Sequence, residues 1–203
     1  RGNAIAYLRQ QKIMSRTTYQ PLRSASSITL LEKERKQLGS GDDYSARILS
    51  ELGADALRTV VLVKEVIEKL KEGKRIIIFA PTVENSFLVS AILSFMGFKS
   101  AHVSGGTATK TRDFLISQFL SGEVQVLCNY GVLSTGFDAP KIDCVFIARP
   151  TKSSVLYSQM IGRGLRGEGV GGTSQCEIIE VLDNFTGQGD EDFLYTQFQD
   201  YWQ

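Results

Sequence analysis

From residue 55 onward the chain alternates between two apolar rhythms. "ADALRTVVLVKEVIEKLKEGK" (54–74) places its aliphatic residues at helical spacing and closes on Gly73, the usual place for a left-handed helix end. "RIIIFA" (75–80) is an unbroken apolar run, as found in short strands buried on both faces. "VENSFLVSAILSFMGF" (83–98) is helical again and stops at Gly97. A short strand follows near "SAHV" (100–103), then a helix over "TKTRDFLISQFLSGE" (109–123) with Thr109 as its N-cap. "VQVLCN" (124–129) and "DCVFIA" (143–148) are expected as two more buried strands. "SSVLYSQMIG" (153–162) reads as a helix, "CEIIEVLD" (176–183) as a last strand, and "DEDFLYTQFQDYW" (190–202) as a terminal amphipathic helix. This order specifies an α/β domain with a mainly parallel sheet of at least five strands and helices on both faces. Residues 1–54 lack alternating apolar runs and carry the charged stretch "LEKERKQLGSGDD" (31–43). They read as a mixed helical linker or appendage, separate from a domain spanning 55–203.

Composition narrows the classes without choosing a function. With 42% hydrophobic and 22% charged residues among 203, the chain has the make-up of a soluble globular protein, and no apolar run reaches membrane-spanning length. The formal charge of +1 leaves any basic surface to local clustering. Cys128, Cys144 and Cys176 are widely spaced and share the chain with a single histidine, His102. That set builds neither a zinc cluster nor a disulfide framework, so buried thiols and a structural His102 are expected. The start "RGNAIAYLRQ" shows no signal-peptide pattern and no initiator methionine, which suggests a piece of a longer protein.

In open α/β sheets ligands gather at the carboxyl ends of the strands. The loops there are "PTVEN", "SGGTATK", "YGVLSTGFDAPK" and "RPTKSS", and the helix after the last delivers "QMIGRGLR". They are expected to share one edge and to offer glycines, small hydroxyls, a carboxylate and several cations. Glycine lets backbone amides approach a phosphate, and arginine supplies a permanent fork of donors that matches it.

These residues resemble a known family. "STGFDAP" (134–140) and "QMIGRGLR" (159–166) are similar to motifs V and VI of superfamily 2 helicases. "RIIIFAPT" resembles their motif IV, and "VSGGTATKTRDFLISQFLSGEVQVL" the segment between. The likeness covers roughly residues 55–185 and is nearest to the RadD and restriction-subunit-like branch. It implies a RecA-like second motor domain of a cytoplasmic, ATP-dependent helicase or translocase acting on nucleic acid, with DNA favoured over RNA.

In that family ATP and Mg2+ lie between two RecA-like domains, held mainly by the first. "GEGVGGTS" (167–174) has glycines but no lysine before its hydroxyls, and "GDEDF" (189–193) follows no apolar strand, so this chain holds half an active site. The resemblance makes Arg163 and Arg166 the arginine fingers, with Gly162 and Gly164 expected to let the backbone turn so that both side chains leave on the cleft side. It assigns Gln159, Gly136 and Asp138 to the nucleotide, and Pro81, Thr82, Ser104, Gly105, Arg112 and Asn129 to the nucleic-acid backbone. Asn129 and Tyr130 stand where the family often has Ser or Thr. Plainer readings stay open: surface cations for the arginines, a turn carboxylate for Asp138, caps and turns for the rest. The aromatic residues of 193–202 read as packing rather than base stacking. Two other readings remain, a motor inside a restriction-type enzyme and a nucleic-acid-binding module without ATPase function.

Overall fold

The unbroken apolar runs become the centre of a sheet whose two faces are both covered. A computed structural model of the chain describes residues 4–132, 141–186 and 198. Within them the elements run α1 (Ala4–Gln10), β1 (Arg16–Thr29), α2 (Glu32–Gly39), α3 (Ala46–Ala54), α4 (Ala56–Lys71), β2 (Ile76–Phe79), α5 (Val83–Phe95) and β3 (Ser100–Ser104). The series continues with α6 (Thr109–Ser121), β4 (Val126–Tyr130), β5 (Cys144–Ile147), α7 (Ser154–Ile161), a short 3-10 turn (Glu168–Val170) and β6 (Gln175–Thr186). The strands form one sheet in the order β1-β6-β5-β2-β4-β3, and every neighbouring pair is parallel.

Alternate side chains of each strand serve opposite layers. Ile76 and Ile78 pack with Leu62, Val66, Val89 and Leu93 beneath α4 and α5. Ile77 and Phe79 pack with Phe119, Tyr157 and Met160 beneath α6 and α7. A third cluster joins Ile28 of β1 to Ile48 and Leu52 of α3. This is the RecA-like α/β architecture expected from the sequence, with six strands among the described residues.

Two local expectations change. Residues 16–29, expected as helix or linker, form the edge strand β1, paired with β6 from Arg16–Gln175 to Thr29–Thr186. Every other position from Ser24 to Ile28 is buried, but Ser24 and Ser26 are hydroxylic, as is the buried Thr17, so the period of two carries little apolar signature. Pro21 fits there because an edge strand leaves one row of amides unpaired. Thr109 is the first residue of α6 and not its cap. Ala108 holds the cap position, while the Thr107 hydroxyl accepts the Ser104 amide at 2.9 Å and closes the preceding turn. The left-handed glycines at 73 and 97 are as expected, with φ of 77° and 88°.

Candidate functional site

Residues expected to share one edge divide between two. A helix that follows a parallel strand runs back along the sheet, so the far end of α7 lies at the amino ends of the strands. Gly164 shows this: a Cβ there would lie 2.3 Å from Cys176 Sγ and 3.0 Å from Val145 Cγ2, both near the starts of their strands. The segment 162–169 therefore sits at the amino edge. Pro81, Thr82, Ser104, Gly105 and Asn129 lie at the carboxyl edge, at the ends of β2, β3 and β4.

Ser153 starts α7 at the carboxyl edge by accepting the Leu156 amide, and Tyr157, fully buried, fixes the helix from beneath as it runs to the amino edge. The Tyr157 hydroxyl donates to Glu180 Oε2 at 3.0 Å, and Tyr19 donates to the same oxygen at 3.1 Å. Gln159, Arg163 and Arg166 are each half-buried, two on the loop and one in the last turn of the helix. Gly162 has a helical φ of −55°, and Gly164 is not among the positive-φ residues. Glycine is needed at 164 for space and not for a turn, which corrects the expected role.

The glycine-rich stretch after Arg166 also has a spatial cause. A Cβ at Gly167 would meet Lys12 O at 2.2 Å, and one at Gly172 would meet Arg166 O at 2.0 Å. The loop folds tightly on itself, with Thr173 N–H donating to Arg166 O at 3.0 Å. Residues 12–15 lie against it, an arrangement without any signature in the residue pattern.

At the carboxyl edge several assigned side chains are already engaged. The Thr82 hydroxyl caps α5 by accepting the Asn85 amide at 3.1 Å. Ser104 and Pro81 are buried, while Gly105 is exposed. Asn129 is wholly buried, and its Nδ2 donates to Ile78 O at 2.9 Å, so its side chain braces β2 against β4. Arg112 is half-buried in the first turn of α6, and no carboxylate among the described residues pairs with it. Arg149, which no motif singles out, stacks over Tyr130 at 5.6 Å and reaches Asp43 at 3.5 Å. Gly136 and Asp138, with the aromatic residues of 193–202 other than Phe198, lie outside the described residues. Phe198 packs against Tyr157 in a tilted pair with ring centroids 5.1 Å apart.

His102 lies inside β3, where its Nδ1 is 2.7 Å from Ser86 Oγ, and burial lowers its pKa. The three cysteines are buried free thiols pushed upward by burial. Among the described residues no group of three His, Cys, Asp or Glu side chains could hold a metal, and no helix is long and apolar enough to cross a membrane.

A family model for the helicase conserved C-terminal domain matches residues 58–168, a span that runs from Arg58 in α4 to just past Arg166. A Saccharomyces cerevisiae protein named as an ATP-dependent helicase, IRC3, is 34% identical over 145 residues, covering 70% of this chain and 21% of its own length. A 51.5 kDa protein of a Lactococcus phage is 32% identical over 140 residues, 69% of this chain and 30% of its own. The chain thus spans about a fifth to a third of these relatives. Among solved structures, a fragment assigned to the HsdR subunit of a type I restriction enzyme from Vibrio vulnificus YJ016 superposes with TM-score 0.59. It is 18% identical and covers 94% of this chain and 34% of its own. The DEAD-box protein SrmB of E. coli gives 0.54 at 20% identity, covering 84% of this chain and 78% of its own. The chain belongs to the helicase conserved C-terminal domain family.

Proposed function

We propose that this chain is the second motor domain of an ATP-dependent helicase or translocase acting on nucleic acid, DNA in preference to RNA. The observation that carries the reading is the pair Arg163 and Arg166 on one closely held loop, at the end of the family-matched span. A guanidinium there would face the phosphates of ATP held by a partner RecA-like domain of the same protein. It would stabilise charge that redistributes as the γ-phosphoryl group transfers. Gln159, one turn earlier, and the Gly136–Asp138 segment would complete the nucleotide side. Mg2+ would be held by the partner domain, since the arginine loop and Gln159 offer guanidinium and amide donors, which suit phosphate and not a cation.

The carboxyl edge would carry the strand. Arg112, the exposed stretch at Gly105 and the loop that ends at Thr82 would contact the sugar-phosphate backbone without reading sequence, as a moving motor requires. The buried Asn129 would support this edge from beneath, leaving Tyr130 beside Arg149 as the nearer surface.

The test is Arg166→Ala in the full-length protein, measuring ATP turnover at saturating nucleic acid and affinity for a single-stranded oligodeoxynucleotide. Turnover should fall about 10³-fold or more while affinity stays within about twofold, because the loss falls on the transition state. If binding weakens and saturated turnover survives, the arginine loop holds the strand and the roles of the two edges are exchanged. A matched oligoribonucleotide bound and turned over equally well would remove the preference for DNA.

A further inference from the structure

The loop bearing Arg163 and Arg166 is held by the short segment that leads into β1. Met14 and Arg166 form an antiparallel bridge. The Ser15 amide donates to Leu165 O at 3.0 Å, and the Ser15 hydroxyl donates to Gly164 O at 2.6 Å. In the other direction, the Gly167 amide donates to Ile13 O at 2.9 Å and the Gly169 amide to Lys12 O at 2.8 Å. Lys12 adopts a left-handed φ of 56°, which turns its carbonyl toward the loop. The contact is too close for side chains at several points, as the 2.2 Å approach between a Cβ at Gly167 and Lys12 O shows.

Most of these bonds are backbone to backbone and survive substitution. The Ser15 hydroxyl is different. It is a side-chain donor, 1% exposed, on the carbonyl of the residue that separates the arginine at 163 from Leu165 and Arg166. Loops rich in glycine have many accessible conformations, and a charge-stabilising group must be held within about 0.5 Å of its working position. Taking away the hydroxyl leaves a buried carbonyl without its donor, and the backbone between the two arginines can then shift.

We infer that Ser15 is a positioning residue for the arginine loop, and that residues 12–15 act as a strap whose register sets the aim of Arg163 and Arg166. The strap is also the polypeptide that enters the sheet, so displacement of the chain before Lys12 acts on the Met14–Arg166 bridge and hence on the arginines. A motor that turns over ATP by moving one domain against another has here a short mechanical path from the preceding chain to its catalytic cations. This inference rests on the reading of Arg163 and Arg166 given above.

The experiment compares Ser15→Ala, Ser15→Thr and Ser15→Val in the full-length protein. Thr and Val have nearly the same shape, so their difference isolates the hydroxyl. Ser15→Ala and Ser15→Val should lower kcat for ATP about tenfold to a hundredfold, the scale of a 1 Å misplacement, with KM for ATP and oligonucleotide affinity within about twofold. Ser15→Thr should recover most of kcat. Amide hydrogen exchange should rise across residues 164–169 in the Ala and Val variants and stay unchanged in β2, β4 and β5. Two results overturn the inference while Arg166→Ala still abolishes turnover. One is kcat within twofold of wild type in all three variants; the other is Val and Thr falling equally, together with the thermal midpoint. If Arg166→Ala itself leaves turnover intact, the proposed function falls and the strap's catalytic role falls with it.

Discussion

Arg58 and Asp183 meet in a buried, two-bond pair, with Nε donating to Oδ1 at 2.8 Å and Nη2 to Oδ2 at 3.0 Å. Their side chains are 1% and 0% exposed. Arg58 also donates to the Ala148 carbonyl at 2.6 Å, and the Ser24 hydroxyl donates to Asp183 Oδ1 at 2.6 Å. The cluster therefore ties α4, the end of β5, β6 and β1 together. It also binds the segment before residue 55 to the body of the sheet.

A buried pair of this kind costs most when one member is left behind. Arg58→Ala should lower stability by about 3–5 kcal/mol, because Asp183 becomes an uncompensated buried charge. Arg58→Met combined with Asp183→Leu should lose clearly less than the sum of the two single changes. Ser24→Ala should cost about 1.5–3 kcal/mol, because its hydroxyl donates to the Asp183 carboxylate and accepts the Ser26 amide at 3.2 Å. Urea unfolding monitored by circular dichroism measures all of these, and additivity in the double variant would mean that the pair is not coupled.

Glu180 predicts a pH dependence of opposite sign to that of most carboxylates. Burial pushes its carboxyl up to about 7, against the lowering effect of the Tyr157 and Tyr19 hydroxyls. A carboxyl raised in the folded state contributes stability that is fully present below its ordinary value near 4.5 and is lost as pH rises through about 7. Glu180→Gln keeps an acceptor for the tyrosines and removes the ionisation. The difference in unfolding free energy between variant and wild type should change by roughly 2–3 kcal/mol between pH 4.5 and pH 8, in favour of the variant at high pH. A constant difference across that window would show that Glu180 titrates normally.

The strands that the sequence displays plainly are those packed on both faces. Ile76 to Phe79 and Cys144 to Ile147 must be apolar at every position, so they appear as unbroken runs. β1 is hidden because three of its buried positions, Thr17, Ser24 and Ser26, are hydroxylic, and the two serine hydroxyls find partners in Asp183 and Asp55. The arginine loop is recognisable from its own residues. Its edge of the sheet is not, because that depends on the direction in which α7 returns. Asn129 resembles a strand contact for the opposite reason, a polar residue at a strand end whose partner is the neighbouring backbone. Ser15 carries no signal, since its bond to Gly164 spans 149 residues and "KIMS" has no distinctive pattern.

The glycines around the arginine loop make a graded prediction. A Cβ at Gly172 would overlap the Arg166 carbonyl, a backbone group that cannot rotate away. Gly172→Ala should therefore destabilise by about 1–3 kcal/mol and raise amide exchange at 166–173. A methyl group at Gly105 would find nothing within 4 Å, and the backbone there has no positive φ, so Gly105→Ala should stay within about 0.5 kcal/mol of wild type. Equal effects at the two sites, read from thermal denaturation, would show that the loop does not fold back on Arg166 as described.

The carboxyl edge makes the last prediction, and Arg112 and Arg149 separate its two kinds of cation. Arg149 is committed internally, stacked on Tyr130 and 3.5 Å from Asp43, which in turn accepts bonds from the Lys152 amide and the Thr151 hydroxyl. Arg112 has no such carboxylate partner among the described residues. Binding of single-stranded oligonucleotides by the isolated chain should be weak, tolerant of sequence and steeply dependent on salt, since it would rest on a few phosphate contacts. Arg112→Ala should lower affinity at every sequence tested and reduce the slope of log K against log salt by about 0.7, the share of one phosphate contact on a single strand. Arg149→Ala should instead leave that slope nearly unchanged and lower the unfolding midpoint, because what it loses is the brace between the 149–153 loop and Asp43. Fluorescence anisotropy across a salt series gives the slopes. An unchanged slope in Arg112→Ala with a reduced one in Arg149→Ala would move the strand path away from α6 and onto the loop after β5.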